Sequence, residues 1–293
     1  MSLNRLASST LIMLSRFQQV DRRIIYALVW VLIGFPIVAP YIGVRLPILP
    51  MYPTRAARSF FEAVESIPND KVVLVACDFD PGTLGENGPQ CRAVIEHLMR
   101  CRKKFIIMGL DQVGPTIAQA YAEELGKRYG YRYGVDYCNF GWITGGQMFL
   151  ERMCRDLHAA VKQDKMGTPI NEIAMMQNVR SAKDIGLVVE FTGSGLLPLY
   201  IATFHAQFGV KLAQGCTGII GPEQFPYLDT GQLSGLLVGL KGAAEYEEML
   251  KTVGGGKRTM LPQSAGHLLI IILVLLGNLG TWAARRAERG MRV

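Results

Sequence analysis

Two long apolar segments stand near the two ends of the chain. Residues 24–44 and 267–284 contain no Asp, Glu, Lys or Arg. A helix rises 1.5 Å per residue, so a segment of about 20 residues crosses a hydrocarbon core of about 30 Å. Trp282 lies near the end of the second segment, where interfacial aromatic residues are common. Both segments are predicted to be transmembrane helices.

Shorter apolar runs lie between these segments and predict a parallel sheet. The runs are rich in Val, Ile and Leu, which is typical of strands that are buried on both faces. They cover residues 71–79, 104–110, 135–140, 185–191 and 210–216. Each run precedes a stretch with a helical pattern, at residues 90–102, 116–129, 147–162, 196–208 and 231–250. About five βα units therefore predict an α/β domain with an open, mostly parallel sheet, either Rossmann-like or flavodoxin-like.

Proline and glycine mark the boundaries between these parts. Pro47, Pro50 and Pro53 favour an extended linker, and three consecutive glycines at residues 254–256 are typical of a flexible connection. Apolar positions over residues 2–20 fit a helix lying along a membrane surface as well as a disordered tail. The predicted parts are a basic tail (1–23), a transmembrane helix (24–44), a Pro-rich linker (45–53), the α/β domain (54–256), a linker (257–266), a second transmembrane helix (267–284) and a basic tail (285–293).

The net charge of +7 lies in the flanks of the chain. Residues 54–262 hold 22 Lys and Arg against 22 Asp and Glu, whereas the flanks hold nine Arg against Asp21 and Glu288, which leaves 9 − 2 = +7. Nucleic-acid binding needs a basic face on the folded domain, so no nucleic-acid partner is predicted. Arginine beside apolar segments is typical of the cytoplasmic flanks of membrane helices. We therefore expect a two-pass protein of the bacterial inner membrane, with both termini cytoplasmic and the α/β domain outside.

The residues that follow the predicted strands are candidates for ligand binding. In open α/β sheets, ligands collect at the carboxyl ends of the strands. Several acids near one edge can hold Mg²⁺ or Ca²⁺ through oxygen ligands. Aspartates at strand ends also cap the following helix, and we expect this role rather than metal binding. The candidates are Asp78, Asp80, Asp111, Thr144, Glu190, Thr192, Ser194 and Glu223.

No intact catalytic or cofactor motif accompanies these residues. The string DFDPGTL at residues 78–84 resembles the Asp-x-Asp-x-Thr motif of haloacid-dehalogenase phosphatases, with Thr83 one place further along. The string TGSG at residues 192–195 can receive an anion on backbone N–H groups. The chain has no dinucleotide or P-loop glycine pattern, no histidines at metal-ligand spacing and no Cys-x-x-Cys pair. No cofactor and no catalytic residue is predicted, and binding of a divalent cation is left as an open alternative.

Glycines recur about every four residues in the last predicted helix. They are Gly231, Gly235, Gly239 and Gly242. In a helix, this spacing gives a face without side chains, which another helix can approach closely. Each Gly lowers helix propensity by about 1 kcal/mol relative to Ala, so a packing role is expected. The face is predicted to pack either on the sheet of its own domain or on another subunit.

Two functions from different classes fit these observations. The first is a non-enzymatic binding or assembly subunit, a membrane-anchored α/β domain within a larger membrane protein complex. Its partners are the lipid bilayer and either other membrane protein subunits or further copies of the chain. The order of span, domain and span resembles that of accessory proteins in some bacterial transport and gliding machineries. The alternative is a metal-assisted hydrolase at the membrane surface that uses Asp78, Asp80 and Glu190.

Overall fold

The computed structural model describes residues 21–290, with side chains as far as residue 286. These residues divide into two compact units: an apolar unit of residues 21–49 and 259–290, and an α/β unit, Pro50–Arg258. The predicted amphipathic stretch over residues 2–20 and the end of the basic C-terminal tail lie outside the described residues, so both stay predictions.

The apolar unit begins with helix α1, Arg22–Ile42. It is α-helical over Arg22–Val29, where the Asp21 carboxylate accepts a hydrogen bond from the backbone of Arg23 at 2.9 Å. A wider π-turn follows at Trp30–Gly34. Pro36 explains this irregularity, because it has no N–H to donate to the carbonyl one turn earlier. The helix ends in a 3₁₀ turn before Gly43, whose φ of +78° suits glycine.

The α/β unit is built on a six-stranded, fully parallel sheet in the order β3-β2-β1-β4-β5-β6. This is the strand order of a Rossmann-like sheet, and it confirms the predicted fold class. The sixth strand is a correction, since its residues fall within the stretch predicted to be helical. The strands are β1 (Val72–Asp78), β2 (Phe105–Gly109), β3 (Tyr137–Trp142), β4 (Ile185–Thr192), β5 (Lys211–Cys216) and β6 (Gly235–Val238).

Helices connect the strands and cover both faces of the sheet. In chain order they are α2 (Arg55–Glu65), α3 (Leu84–Arg100), α4 (Gly114–Tyr129), α5 (Gly146–Arg155), α6 (Leu157–Ala160), α7 (Leu197–Tyr200, the π-turn Ile201–His205 and Ala206–Phe208 in succession), α8 (Gly221–Asp229) and α9 (Gly239–Met249). Short 3₁₀ turns at Ile170–Glu172, Ala174–Met176 and Ala182–Asp184 lie between α6 and β4.

Two apolar cores form because successive side chains of a strand point to opposite faces. In β1, Leu74 and Ala76 pack in one core, together with side chains of α5, α6 and α7. Val73 and Val75 pack in the other, together with α2, α3, α4 and α9. The strands are buried on both sides, which explains the apolar character of β1, β2 and β4 in the sequence.

The predicted glycine face is not a helix face in the structure. Gly235 is the first residue of β6, and Gly239, with φ of +60°, begins α9. A Cβ atom at Gly235 would lie 2.1 Å from the Cα atom of Phe60, and one at Gly242 would lie 2.9 Å from the carbonyl carbon of Leu237. Gly235 and Gly242 therefore allow close backbone contacts within the α/β unit, and Gly239 allows a turn.

The predicted linker before the second apolar segment is also corrected. Helix α10, Gly255–Gly290, is continuous through residues 257–266. The buried Glu247 carboxylate accepts hydrogen bonds from the backbone N–H groups of Gly254 (3.0 Å), Gly256 (2.9 Å) and Lys257 (2.8 Å). These are the groups that a helix start leaves without intrahelical partners. A side-chain cap thus orders the glycine-rich segment, and both Arg22–Ile42 and Gly255–Arg286 are long and apolar enough to cross a membrane.

Candidate functional site

The predicted site residues gather around the point where the strand order reverses. β1 and β4 lie side by side there, and their last residues, Asp78 and Thr192, are register partners. In doubly wound sheets, the crevice outside the carboxyl ends at this point is the usual ligand site.

Asp78 lies at the end of β1 with its carboxylate turned into the protein. It is 3% exposed. One oxygen accepts a hydrogen bond from the backbone N–H of Leu110 at 2.5 Å, and the other accepts from the Tyr200 hydroxyl at 2.6 Å. Burial raises the pKa of Asp78 to about 6, and the charge of Asp111 adds to the rise, while the two hydrogen bonds oppose it. Both oxygens of Asp78 are therefore engaged by the chain itself.

Glu190 lies on the same face of the sheet, two residues before the end of β4. It pairs in register with Ala76 and is 1% exposed. Its Oε2 atom accepts a hydrogen bond from the Gln214 side chain at 3.0 Å. Burial raises the pKa of Glu190 well above its ordinary value, and the charge of Asp78 raises it further. The structure thus brings Asp78 and Glu190 together in one buried polar cluster with Tyr200 and Gln214.

The remaining acidic candidates have other roles or lie at the surface. Asp80 is exposed, and its Oδ1 atom accepts from the Thr83 backbone N–H at 3.0 Å, in the turn that precedes α3. This bond closes the turn but is not the helix cap expected of a strand-end aspartate, because Thr83 is the N-cap residue of α3 and the helix has no side-chain cap hydrogen bond. Asp111 accepts from the backbone N–H of Val113 at 3.1 Å. Glu223 is exposed in the first turn of α8.

The hydroxyl candidates lie in two separate loops. The Thr192 and Ser194 hydroxyl oxygens are 3.0 Å apart, and the Ser194 backbone N–H donates to Thr192 at 3.0 Å. These contacts fold the TGSG string onto itself. Thr144 is exposed in the loop after β3.

A second polar cluster, which was not predicted from the sequence, lies at the ends of β4 and β5. The buried Asn87 amide of α3 donates to the carbonyl oxygens of Thr192 and Gly215, each at 3.2 Å. The buried Gln90 amide donates to those of Cys216 at 3.0 Å and Gly239 at 2.8 Å. The start of α3 is thus bonded to the ends of β4 and β5 and to the start of α9.

The loops after β1 and β4 also close on each other. A Cβ atom at Gly193 would lie 2.3 Å from the Thr83 methyl carbon. Glycine permits this approach, so the loops after β1 and β4 are in close contact. Asn87 and Gln90 are three positions apart at the start of α3 and therefore lie on one face of the helix. This spacing was the signal in the sequence that could have pointed to them.

The described residues contain no group of three or more His, Cys, Asp and Glu that could hold a metal ion. Asp78, Asp80 and Glu190 therefore do not form the ligand set that the hydrolase alternative needs. All six cysteines are free thiols, and five of them are buried.

Fold and site together define a Rossmann-like α/β unit, accompanied by two apolar helices, in which polar groups at the ends of β1, β4 and β5 are hydrogen-bonded to side chains of the same unit. Comparison of the chain with protein-family models, with curated proteins and with solved structures finds no match.

Proposed function

We propose that this protein is a membrane-anchored α/β domain that acts as a non-enzymatic binding or assembly subunit of a larger membrane protein complex. The observation that carries the proposal is the internal hydrogen bonding of the polar groups at the strand ends. The groups that a small ligand would use, such as the Asp78 carboxylate and the strand-end carbonyls, already bond to Tyr200, Asn87 and Gln90. What the unit offers to a partner is therefore its outer surface.

Exposure of the apolar helices supports the membrane anchor. In the most apolar 18-residue stretch of α1 only 6% is buried, and in the corresponding stretch of α10 only 17% is buried. The core helix of a soluble protein would be mostly buried. Trp30 is 63% exposed and Leu268 is 58% exposed, so these surfaces need lipid or another apolar helix to cover them. The proposed location is a bacterial inner membrane, with both termini cytoplasmic and the α/β domain outside. The arginine residues that flank the outer ends of both helices support this orientation.

The mass of the solubilised protein tests the assembly role. The full-length chain should be extracted in mild detergent and measured by native mass spectrometry. We expect a fixed-stoichiometry complex heavier than the 32.3 kDa chain. Multiples of the chain mass would identify further copies as the partner, and additional masses would identify other subunits. A detergent-extracted chain that stays monomeric at all concentrations would contradict the proposal.

Substitution of Asp80 tests the hydrolase alternative. Asp80→Ala removes the acceptor for the Thr83 N–H and should cost about 1 kcal/mol of unfolding free energy, whereas Asp80→Asn keeps an acceptor oxygen and should be nearly neutral. Neither variant should change its melting temperature with Mg²⁺ or Ca²⁺. A cation-dependent rise of several degrees in the native chain that is lost in Asp80→Asn would favour the hydrolase instead.

A further inference from the structure

Glu190 and Gln214 lie side by side in the core with half of their hydrogen-bonding capacity unused. They are register partners on β4 and β5 and are 1% and 0% exposed. Nε2 of Gln214 donates to Oε2 of Glu190 at 3.0 Å. The other oxygen of each side chain, Oε1 in both residues, is buried without a hydrogen-bond partner. An ionised carboxylate and an amide oxygen only accept, so these two atoms lack a donor.

A single proton satisfies both atoms. A carboxylic acid carries one O–H donor beside its carbonyl acceptor, and an amide carries N–H and C=O groups in the complementary arrangement. With the proton on Oε1, Glu190 donates to Oε1 of Gln214 while Oε2 keeps its bond from Nε2. The two side chains then form a ring closed by two hydrogen bonds.

We propose that Glu190 and Gln214 form a buried proton-binding site, in which Glu190 is a neutral carboxylic acid paired with the Gln214 amide through both of its oxygens. This inference is independent of the assembly role. It defines a place in the core where one proton links β4 to β5.

The charges around the site support a neutral Glu190. Asp78 faces it from β1, Tyr200 from α7 and Cys216 from β5. Within the described part of the chain, neither Asp78 nor Glu190 takes part in an ion pair. Two adjacent carboxylate charges without a cation are costly in a low-dielectric core.

Hydrogen-bond donors decide which of the two acids keeps its charge. Asp78 receives two donors, the Leu110 N–H and the Tyr200 hydroxyl, whereas Glu190 receives one from Gln214. Donors favour the ionised form of a carboxyl group. The proton therefore resides on Glu190, and its loss at high pH leaves a buried charge beside an unpaired amide oxygen.

Infrared spectroscopy of the full-length chain in mild detergent tests the proposal, with ¹³C-labelled glutamate to separate Glu from Asp signals. At pH 7, we expect one glutamate signal in the carbonyl region of a neutral carboxylic acid, which moves in ²H₂O. Glu190→Gln should abolish it and still fold, because a second amide can form the same ring. The matched control Glu247→Gln, at a buried glutamate with three backbone donors, should retain it.

A further variant separates the ring from burial alone. In Gln214→Leu, the signal should move to the position of a carboxylic acid without the amide partner. An unmoved signal would contradict the ring. Absence of a neutral glutamate at pH 7, or its persistence in Glu190→Gln, would overturn the proposal. If the carboxylic-acid signal is absent and Na⁺ or K⁺ raises the melting temperature, a bound cation occupies the place of the proton, and the proposal is overturned.

Discussion

At the residue scale, the acids at the strand ends illustrate how position on a strand controls chemistry. Asp78 and Asp80 are two residues apart, yet the first is buried and the second is exposed. Their place after an apolar run was enough to select them as candidates. The partner that determines the role of Asp78 is Tyr200, and that of Glu190 is Gln214; both come from distant parts of the chain. A single sequence does not contain that information, because tertiary contacts create it.

Asp78 makes stability depend on pH in a defined direction. Its pKa is raised from 3.8 to about 6 by burial, so the folded state holds the proton more tightly than the unfolded state. The unfolding free energy should therefore fall as the pH rises from about 4 to about 6, by an amount on the order of 3 kcal/mol. The rise in the pKa of Glu190 should extend the decline to higher pH.

Thermal unfolding of the full-length chain in detergent across this pH range measures the effect. In Asp78→Asn the decline between about pH 4 and 6 should be largely lost, because asparagine does not titrate. Asp229→Asn, at an exposed carboxyl group on α8, serves as the control and should keep the decline. An unchanged slope in Asp78→Asn would show that Asp78 is not the titrating group.

At the element scale, the five longer strands were predictable and the sixth was not. β1, β2 and β4 are largely apolar, and β3 and β5 combine apolar residues with Asn139 and Gln214; predominantly apolar strands are the signature of burial on both faces. β6 has only four residues and begins with Gly235. Its sequence fits a strand no better than it fits a helix with glycines along one face. The start of α10 was likewise predicted as a linker, because its glycines are helix-breaking by themselves. The Glu247 carboxylate that orders them lies in α9.

Gly235→Ala tests the correction to the glycine face. Its Cβ atom would lie 2.1 Å from the Cα atom of Phe60 and 2.3 Å from its backbone nitrogen. Overpacked side chains cost about 1–3 kcal/mol, and a clash with backbone leaves no rotamer to relieve it, so we expect a loss at the upper end of that range. Gly195→Ala, where a Cβ atom meets open space, should stay within about 1 kcal/mol of the native chain. Intact stability in Gly235→Ala with a lost partner would restore the subunit-contact interpretation.

Glu247→Gln tests the cap at the start of α10. The carboxylate receives three backbone N–H groups, and a hydrogen bond to a charged group contributes about 1.5–3 kcal/mol. Hydrogen exchange at Gly256 and Lys257 should accelerate about tenfold or more. Glu248→Gln removes only the ion pair with Lys257 and should leave these amides protected. Equal exchange in the two variants would assign the order of this segment to its packing alone.

At the scale of the whole molecule, both ends of the α/β unit are bound to the same helix. The Thr54 hydroxyl, just before α2, donates to Glu245 of α9 at 2.8 Å. The first residues of α10 bond to Glu247, two positions further along α9. The chain therefore enters and leaves this unit through contacts with α9.

The arginine pattern makes a prediction about which side of the membrane each part occupies. Eight basic residues flank the outer ends of the two apolar segments, and six flank the inner ends. Short basic flanks are retained in the cytoplasm, so both tails should be shielded from an impermeant thiol reagent in intact cells.

Five native cysteines are buried, so Cys101→Ser provides the background. In it, Thr10→Cys and Gly290→Cys should stay unlabelled until the membrane is opened. Asp229→Cys, on the exposed surface of α8, should label at once. Labelled tails with a shielded Asp229→Cys would reverse the topology and place the α/β unit in the cytoplasm, where the six free thiols would meet a reducing environment.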